Sequence, residues 1–225
     1  MKLIIAGSEG LLGKVIAEYY EKTGTKVIRV DKKLGHDLTS EKQVKALVVA
    51  NPDANGLVVL FALNPTPNDT TFSISNLPLA SVRAYLRVNL EAVYALVREY
   101  ASVAPPGSVV VLFSSTYGLV SPNPGIYPKG HIKHPAYSIT KAGIVGMTKY
   151  FAVHLAPKIR VNCIAPGGVW NNQDSTFIRK YDKIVPIGRM MKKEEIIGPV
   201  KFLLSDDSSY MTGATLIYDG GYTAW

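Results

Sequence analysis

A single cysteine in 225 residues, Cys163, rules out an internal disulfide framework. No apolar run approaches the ~20 residues a bilayer-spanning helix requires, so membrane insertion is not expected. The opening Met1-Lys2-Leu3-Ile4-Ile5-Ala6-Gly7 pairs a charge with a short apolar stretch. That stretch meets Gly7 at once and reads as a first strand rather than a signal peptide, and a cytoplasmic protein is expected. Internal repeats, low-complexity tracts and clusters of Gly are missing too, which excludes solenoid, fibrous and disordered classes. Acidic residues are the scarcer charge, 17 Asp and Glu against 25 Lys and Arg, for a net +8. The excess would suit an anionic partner such as a dinucleotide or a phosphorylated substrate. The basic residues are dispersed, however, and no aromatic-basic motif accompanies them, so nucleic acid is not an expected partner and a solvated surface serves as well. No metal site is expected.

Against these absences stands a regular rhythm. Segments rich in Val, Ile and Leu recur at 2–6, 26–30, 56–62, 108–113, 159–164 and 214–218, separated by stretches with helical spacing. Alternating strands and helices predict a single α/β domain over 1–225, a Rossmann-type doubly wound parallel sheet of about seven strands with helices on both faces. In such a sheet ligands bind at the carboxyl ends of the strands, so function should lie just after each strand. One helix is predicted over 80–100, with Val82, Leu86, Val93, Leu96 and Val97 on one face. Asn89 falls within that stripe, where a polar amide requires a partner. The segment 119–136 holds four prolines, two glycines and two histidines without periodicity, and is predicted to be a loop over the site, ahead of a helix beginning near Tyr137.

Gly7, Gly10 and Gly13 follow the first strand and open the next helix. In this context a glycine-rich turn lets backbone amides and a helix N-terminus approach a pyrophosphate, although a ligand-free turn has the same pattern. Asp31 ends the second strand, where a carboxylate accepts hydrogen bonds from ribose hydroxyls and repels a 2′-phosphate; this favours NAD over NADP. Lys32 and Lys33 follow immediately and would hold a 2′-phosphate if Asp31 turned away. Asp37 and Leu38 either border the adenine, or Asp37 caps the helix starting near Ser40.

Tyr137 and Lys141 are four residues apart, hence on one face of a helix. Singly, a packed tyrosine, a solvated lysine, a strand-end serine and a core asparagine would explain Tyr137, Lys141, Ser115 and Asn89 equally well. Their order is what matters: glycine turn, Asn89, then Ser114-Ser115 directly after a strand, then Tyr137-Ser-Ile-Thr-Lys141. Further on come Arg160-Val161-Asn162, Pro166-Gly167, Pro186-Ile-Gly188-Arg189-Met190, Phe202-Leu-Leu-Ser205-Asp206, Thr212-Gly213 and Asp219-Gly220-Gly221. With these the chain resembles the short-chain dehydrogenase/reductase family over essentially its whole length.

That resemblance implies a nicotinamide-dependent oxidoreductase in which Tyr137 is the general acid/base. Lys141 would lower the tyrosine's pKa and hold the nicotinamide ribose, Ser115 would hydrogen-bond the substrate oxygen, and Asn89 would order a proton-relay water. The cofactor would rest on Gly7, Gly10, Leu12 and Gly13, on Asp31, Asp37 and Leu38, and on Ala62. On its nicotinamide side it would meet Pro166, Gly167, Val169 and Asn171, the last standing where many relatives have a threonine. A homotetramer or homodimer is implied, with the helices around 81–100 and 137–155 at the subunit interface.

The pattern departs from the family in three places. The glycine spacing Ala6-Gly7-Ser8-Glu9-Gly10-Leu11-Leu12-Gly13 is similar to that of the longer, sugar-nucleotide-modifying branch. The usual Asn-Asn-Ala-Gly is replaced by Leu60-Phe61-Ala62-Leu63, and Asn64 is not an assured substitute for its strand-supporting asparagine. Ser115 and Tyr137 are farther apart than usual, which lengthens the loop expected to shape the substrate pocket; Asn64, Tyr117, Tyr127 and His131 are candidate substrate contacts, with loop packing an equal alternative for the aromatic residues and His134. Details around Ser114, Ile126-Tyr127 and Pro166–Gln173 resemble a subgroup encoded with flagellin-modification and nonulosonic-acid sugar pathways. The expected activity is interconversion of a secondary alcohol and a ketone on a carbohydrate-like or phosphorylated sugar. The alternatives are a nucleotide-sugar epimerase or dehydratase that recycles its NAD, and a catalytically inactive dinucleotide-binding regulator.

Overall fold

The apolar segments form one six-stranded sheet, ordered β2-β1-β3-β4-β5-β6, in which every neighbouring pair is parallel. The strands are β1 (Lys2–Ala6), β2 (Lys26–Val30), β3 (Gly56–Val59), β4 (Ser108–Phe113), β5 (Ile159–Pro166) and β6 (Thr215–Tyr218). The computed structural model describes residues 1–64 and 73–225. Six strands rather than about seven form among the described residues, and the third ends at Val59, short of the expected 62.

Side chains alternate across a strand, so the central strands contribute to two cores. Ile4, Ala6, Leu57, Val59, Val110, Leu112, Val161 and Cys163 face one layer, built with α2 (Glu41–Val49), α4 (Ala92–Val103) and α5 (Pro135–Leu155). Leu3, Ile5, Val58, Val109, Val111, Phe113 and Ile164 face the other, built with α1 (Leu11–Lys22) and α7 (Ile197–Leu204). This two-sided burial is why the strands read as nearly continuous apolar runs, and it bears out the doubly wound architecture. Cys163 is fully buried, a core residue as its surroundings suggested. A smaller cluster gathers Ile126, Tyr181, Val185, Met190 and Tyr222, packing the loop before α5 against α6 (Ser175–Ile184) and the carboxyl-terminal segment.

The predicted helix at 80–100 is divided. α3 (Leu79–Leu86) passes into a π-helical turn, Arg87–Glu91, before α4 begins. Asn89 lies inside that turn and is buried. The predicted loop 119–136 contains a short 3₁₀ turn, Pro124–Ile126. α5 starts at Pro135, two residues before Tyr137, because proline suits the first helical turn and the His134 side chain caps it by accepting from the Ala136 N–H.

The motif Arg160-Val161-Asn162 has a structural explanation. The Arg160 guanidinium donates to the carbonyls of Leu203, Ser205 and Met211 and to the Ser208 hydroxyl. Asn162 donates to the Met211 carbonyl and accepts from the Ala214 N–H. Together they tie the segment after α7 to β5.

Candidate active site

Every element of the candidate site lies at the carboxyl edge of the sheet, where the loops after β1 and β3 face each other across the point at which strand order reverses. Gly7 adopts φ +94°, and a Cβ there would lie 2.6 Å from the Phe61 nitrogen. A Cβ at Gly13 would stand 2.0 Å from the Gly7 carbonyl oxygen. Only glycine permits this turn to fold so tightly against the start of α1. Gly10 is the N-cap of α1 and offers no side-chain cap, so the helix's first amides remain available to an anion. Leu12, half-buried, packs against the core beside this turn.

Asp31 does not turn away. Its carboxylate accepts from the Glu9 N–H at 3.1 Å and the Lys33 N–H at 2.9 Å, which fixes it beside the glycine turn. The Lys33 ammonium donates to the Glu9 carbonyl, and Arg29 pairs with Glu9 at 3.0 Å. This turn thus carries two carboxylates, Asp31 and Glu9. The second has no signature in the sequence, since it stands at an unspecified position between the glycines. These residues fit the diphosphate and adenosine of a dinucleotide: a glycine cradle that a Cβ would fill, uncapped helix amides, and a carboxylate fixed at the second strand's end.

Asp37 and Leu38 are placed differently. Asp37 is exposed and accepts from the Thr39 N–H and hydroxyl, hydrogen bonds that hold its carboxyl below the usual range. It does not cap α2, since the cap is Ser40, whose hydroxyl accepts from the Gln43 N–H. The Leu38 side chain is buried in the core, which leaves it only its backbone to present.

After β3, the missing family asparagine is replaced by other contacts. The Leu60 and Phe61 N–H groups both donate to the Ala6 carbonyl, at 2.8 and 3.2 Å. Asn89 accepts from the Leu63 N–H at 2.6 Å and donates to the Leu63 carbonyl at 3.1 Å and to Thr140 Oγ1 at 3.2 Å. Both amide protons of Asn89 are thereby committed to protein groups. Its side chain holds backbone, because the π-helical turn aims it at Leu63. Ala62, half-buried, sits on the segment so held. Asn64, exposed, accepts from the Lys133 ammonium instead of supporting the strand.

At the end of β4, Ser114 donates to the Lys141 carbonyl at 2.7 Å, while the Ser115 hydroxyl accepts from the Tyr117 N–H at 3.2 Å and lies near enough to the Tyr137 phenol to favour its ionised form. Lys141 is 5% exposed and its ammonium donates to the Phe113 carbonyl at 2.8 Å. It lies 5.8 Å from the Tyr137 ring centroid. Burial decides the protonation of both groups in the protein alone. It pushes the Tyr137 phenol up, opposed by the Ser115 hydroxyl, and pushes Lys141 down to about 8. The lowered phenol expected from Lys141 therefore requires more positive charge than this lysine supplies unaided.

On the far side, Pro166 ends β5, and a Cβ on Gly167 would lie 2.9 Å from the Asp219 Cα. Gly168 donates to the Tyr181 hydroxyl, and Val169 bridges to Met191. Asn171 is exposed, with its backbone N–H bonded to Gln173. The loop before α5 is held by aromatic contacts: Tyr117 and Tyr127 share a hydrogen bond at 2.9 Å, His131 stacks on Tyr127, and Tyr117 meets Tyr222. Burial raises both phenols, Tyr127 to about 12. His134 stacks on Tyr85 at 4.1 Å and shares a hydrogen bond with Ser81. Tyr117, Tyr127 and His134 are thus engaged in packing. Lys133, which no sequence motif marks, reaches over the Tyr137 ring from this loop.

A family model described as enoyl-(acyl carrier protein) reductase matches residues 2–223. The chain belongs to the short-chain dehydrogenase/reductase family. A short chain dehydrogenase from Leptospira borgpetersenii, solved with bound NAD+, is 30% identical over 99% of this chain and 92% of its own, with a TM-score of 0.87. The uncharacterized short-chain type dehydrogenase/reductase y4vI of Sinorhizobium fredii is 28% identical over 98% of this chain, which spans only 43% of that protein's length. Post-translational flagellin modification protein A of Campylobacter coli is 36% identical over 50% of this chain and 45% of its own. No helix among the described residues is long and apolar enough to cross a membrane.

Proposed function

We propose that this protein is an NAD-dependent oxidoreductase that interconverts a secondary alcohol and a ketone. The observation that carries the reading is the convergence of Ser115, Tyr137 and buried Lys141 at the end of β4, beside a glycine turn faced by the Asp31 carboxylate. NAD+ in the Leptospira relative supports the choice of cofactor. When bound, NAD accepts or returns the hydride.

The chain's own groups handle position and proton. Tyr137 takes the hydroxyl proton in oxidation and gives it back in reduction, at Oη. Ser115 donates to the substrate oxygen, on which charge builds. Lys141, anchored on Phe113, holds the nicotinamide ribose, and Asn89 keeps the segment Leu60–Asn64 in place as a wall of the cofactor site. Pro166, Gly167, Val169 and Asn171 form the opposite wall. The substrate approaches Tyr137 beside the loop 119–134, where His131 and the basic character of the loop suit a carbohydrate-like or phosphorylated compound. The flagellin-modification relative is consistent with a role in sugar modification.

The test is absorbance at the nicotinamide band with a panel of polyols, sugars and sugar phosphates. Turnover is expected with NAD, and a loss on the order of 10²-fold or more in Tyr137→Phe. No turnover with any alcohol or ketone, or an active Tyr137→Phe, would overturn the reading.

A further inference from the structure

Tyr137 has two lysines beside it, and the nearer is not the one four residues along its helix. The Lys133 ammonium lies 4.6 Å from the phenol ring centroid, against 5.8 Å for Lys141. Lys133 is not on α5: His134 caps that helix and Pro135 starts it. The chain turns at the cap and lays the Lys133 side chain over the ring. Contacts on both sides of it contribute to this placement. His134 is fixed by Ser81 and Tyr85, which fixes the backbone next to Lys133, and the ammonium itself donates to the Asn64 carboxamide oxygen at the end of the β3 segment.

We propose that Lys133 is a positioning residue for proton transfer, an ammonium held over the Tyr137 ring by Asn64 that favours the phenolate alongside Lys141. This deepens the functional reading above and rests on it. A cation over an aromatic face is attracted to the ring, and the attraction grows when the ring bears negative charge. An opposite charge within roughly 4–6 Å is also a recognised means of lowering an acid's pKa. The need for it is visible in the site. Burial raises the phenol and drains charge from Lys141, which is pushed down to about 8. Among the described residues, the titratable groups that bear on Tyr137 are Lys141 on its own helix, Lys133 from the preceding loop, and Tyr127 with His131 stacked on it, while Cys163 acts on Lys141. Of these the two lysines favour the phenolate, and Tyr127, whose own phenol is raised, opposes a second negative charge.

The experiment follows the ¹³Cζ resonance of Tyr137 in tyrosine-labelled protein, with and without NAD, over the pH range in which the fold is retained. Tyr137→Phe identifies that resonance among the 13 tyrosines. In Lys133→Met the Tyr137 pKa is expected to rise by about one unit, so that the ionised fraction at a fixed alkaline pH falls about tenfold. Lys133→Arg should restore it, and the alkaline limb of kcat/KM should move with the resonance. An unchanged Tyr137 titration in Lys133→Met, or an arginine variant that behaves like methionine, overturns the proposal whatever the activity. A shifted titration with an unshifted rate profile leaves the electrostatic role of Lys133 standing and overturns Tyr137 as the acid/base. If Lys133→Met does not fold, Lys133→Gln removes the charge while keeping a side chain that can donate to Asn64; a Tyr137 titration identical to wild type there also overturns the proposal.

Discussion

Asn89 holds Leu63 by both of its backbone groups, accepting from the N–H at 2.6 Å and donating to the carbonyl at 3.1 Å. Asn89 sits at the middle of the π-helical turn Arg87–Glu91, where the wider turn re-aims its side chain. Asn89→Ala leaves the Leu63 groups and Thr140 without this partner. A loss of about 1–3 kcal/mol is expected in urea unfolding, with weaker NAD binding because Leu60–Asn64 is no longer fixed. An unchanged midpoint and affinity would show that the segment does not depend on Asn89. Asn89→Asp keeps the acceptor and loses the donors, so its cost should fall below that of alanine only if the Leu63 N–H bond dominates.

Asp31 is expected to decide between the two dinucleotides. With its carboxylate fixed between the Glu9 and Lys33 N–H groups, a 2′-phosphate would face negative charge. Asp31→Ser is expected to lower the NAD to NADP affinity ratio by about tenfold or more, about 1.4 kcal/mol, with Lys33 free to meet the phosphate. Adding Lys33→Ala should reverse much of the gain in NADP affinity. Fluorescence titration with both cofactors measures the ratio; a ratio insensitive to Asp31 would move the discrimination to Glu9.

Lys141 links stability to pH with a definite sign. Its folded pKa, about 8, lies below the ordinary lysine value, so the folded state releases this proton before the unfolded state does. The cost of burying the ammonium is fully present below pH 8. It is relieved as pH rises from about 8 toward the ~10.4 of a free lysine. Lys141→Met lacks this cost, so wild type should gain stability relative to the variant across that interval. Paired urea unfolding curves at the two ends would show it; a constant difference would mean that Lys141 keeps its ordinary pKa.

Association is expected through the outer faces of α4 and α5. Tyr94, Ile139, Tyr150 and Val153 are large apolar side chains left exposed there, Val153 by 76%. Light scattering should report a dimer or tetramer of the 24.5 kDa chain, and Tyr150→Glu with Val153→Glu should reduce it to the monomer. A wild-type monomer would end this expectation.

Features that depend on local pattern are legible in the sequence itself. Alternation along Leu3–Ala6 or Val109–Phe113 follows from side chains pointing to opposite faces, and two-sided burial makes such strands apolar throughout. Gly7 and Gly13 announce a tight turn because no other residue fits it. The spacing of Tyr137 and Lys141 puts them on one helical face, and their packing against Ser115 follows once the strand before Ser115 is placed.

Other features depend on contacts between residues far apart in the chain. Asn89 meets Leu63 across 26 positions and Thr140 across 51, and only the folded layers show that the helix opens into a π turn to make both bonds. The Asn89 amide therefore grips backbone, a task that no pattern in the sequence announces. Leu38 is core and Asp37 an exposed turn, since the loop's path after β2 is set by packing on α2. Tyr137 and Lys141 retain their place at the centre, but the charge around the phenol is a tertiary property. Lys133, which no helical period connects to Tyr137, is laid over its ring by a cap at His134 and a hydrogen bond to Asn64, 69 positions away.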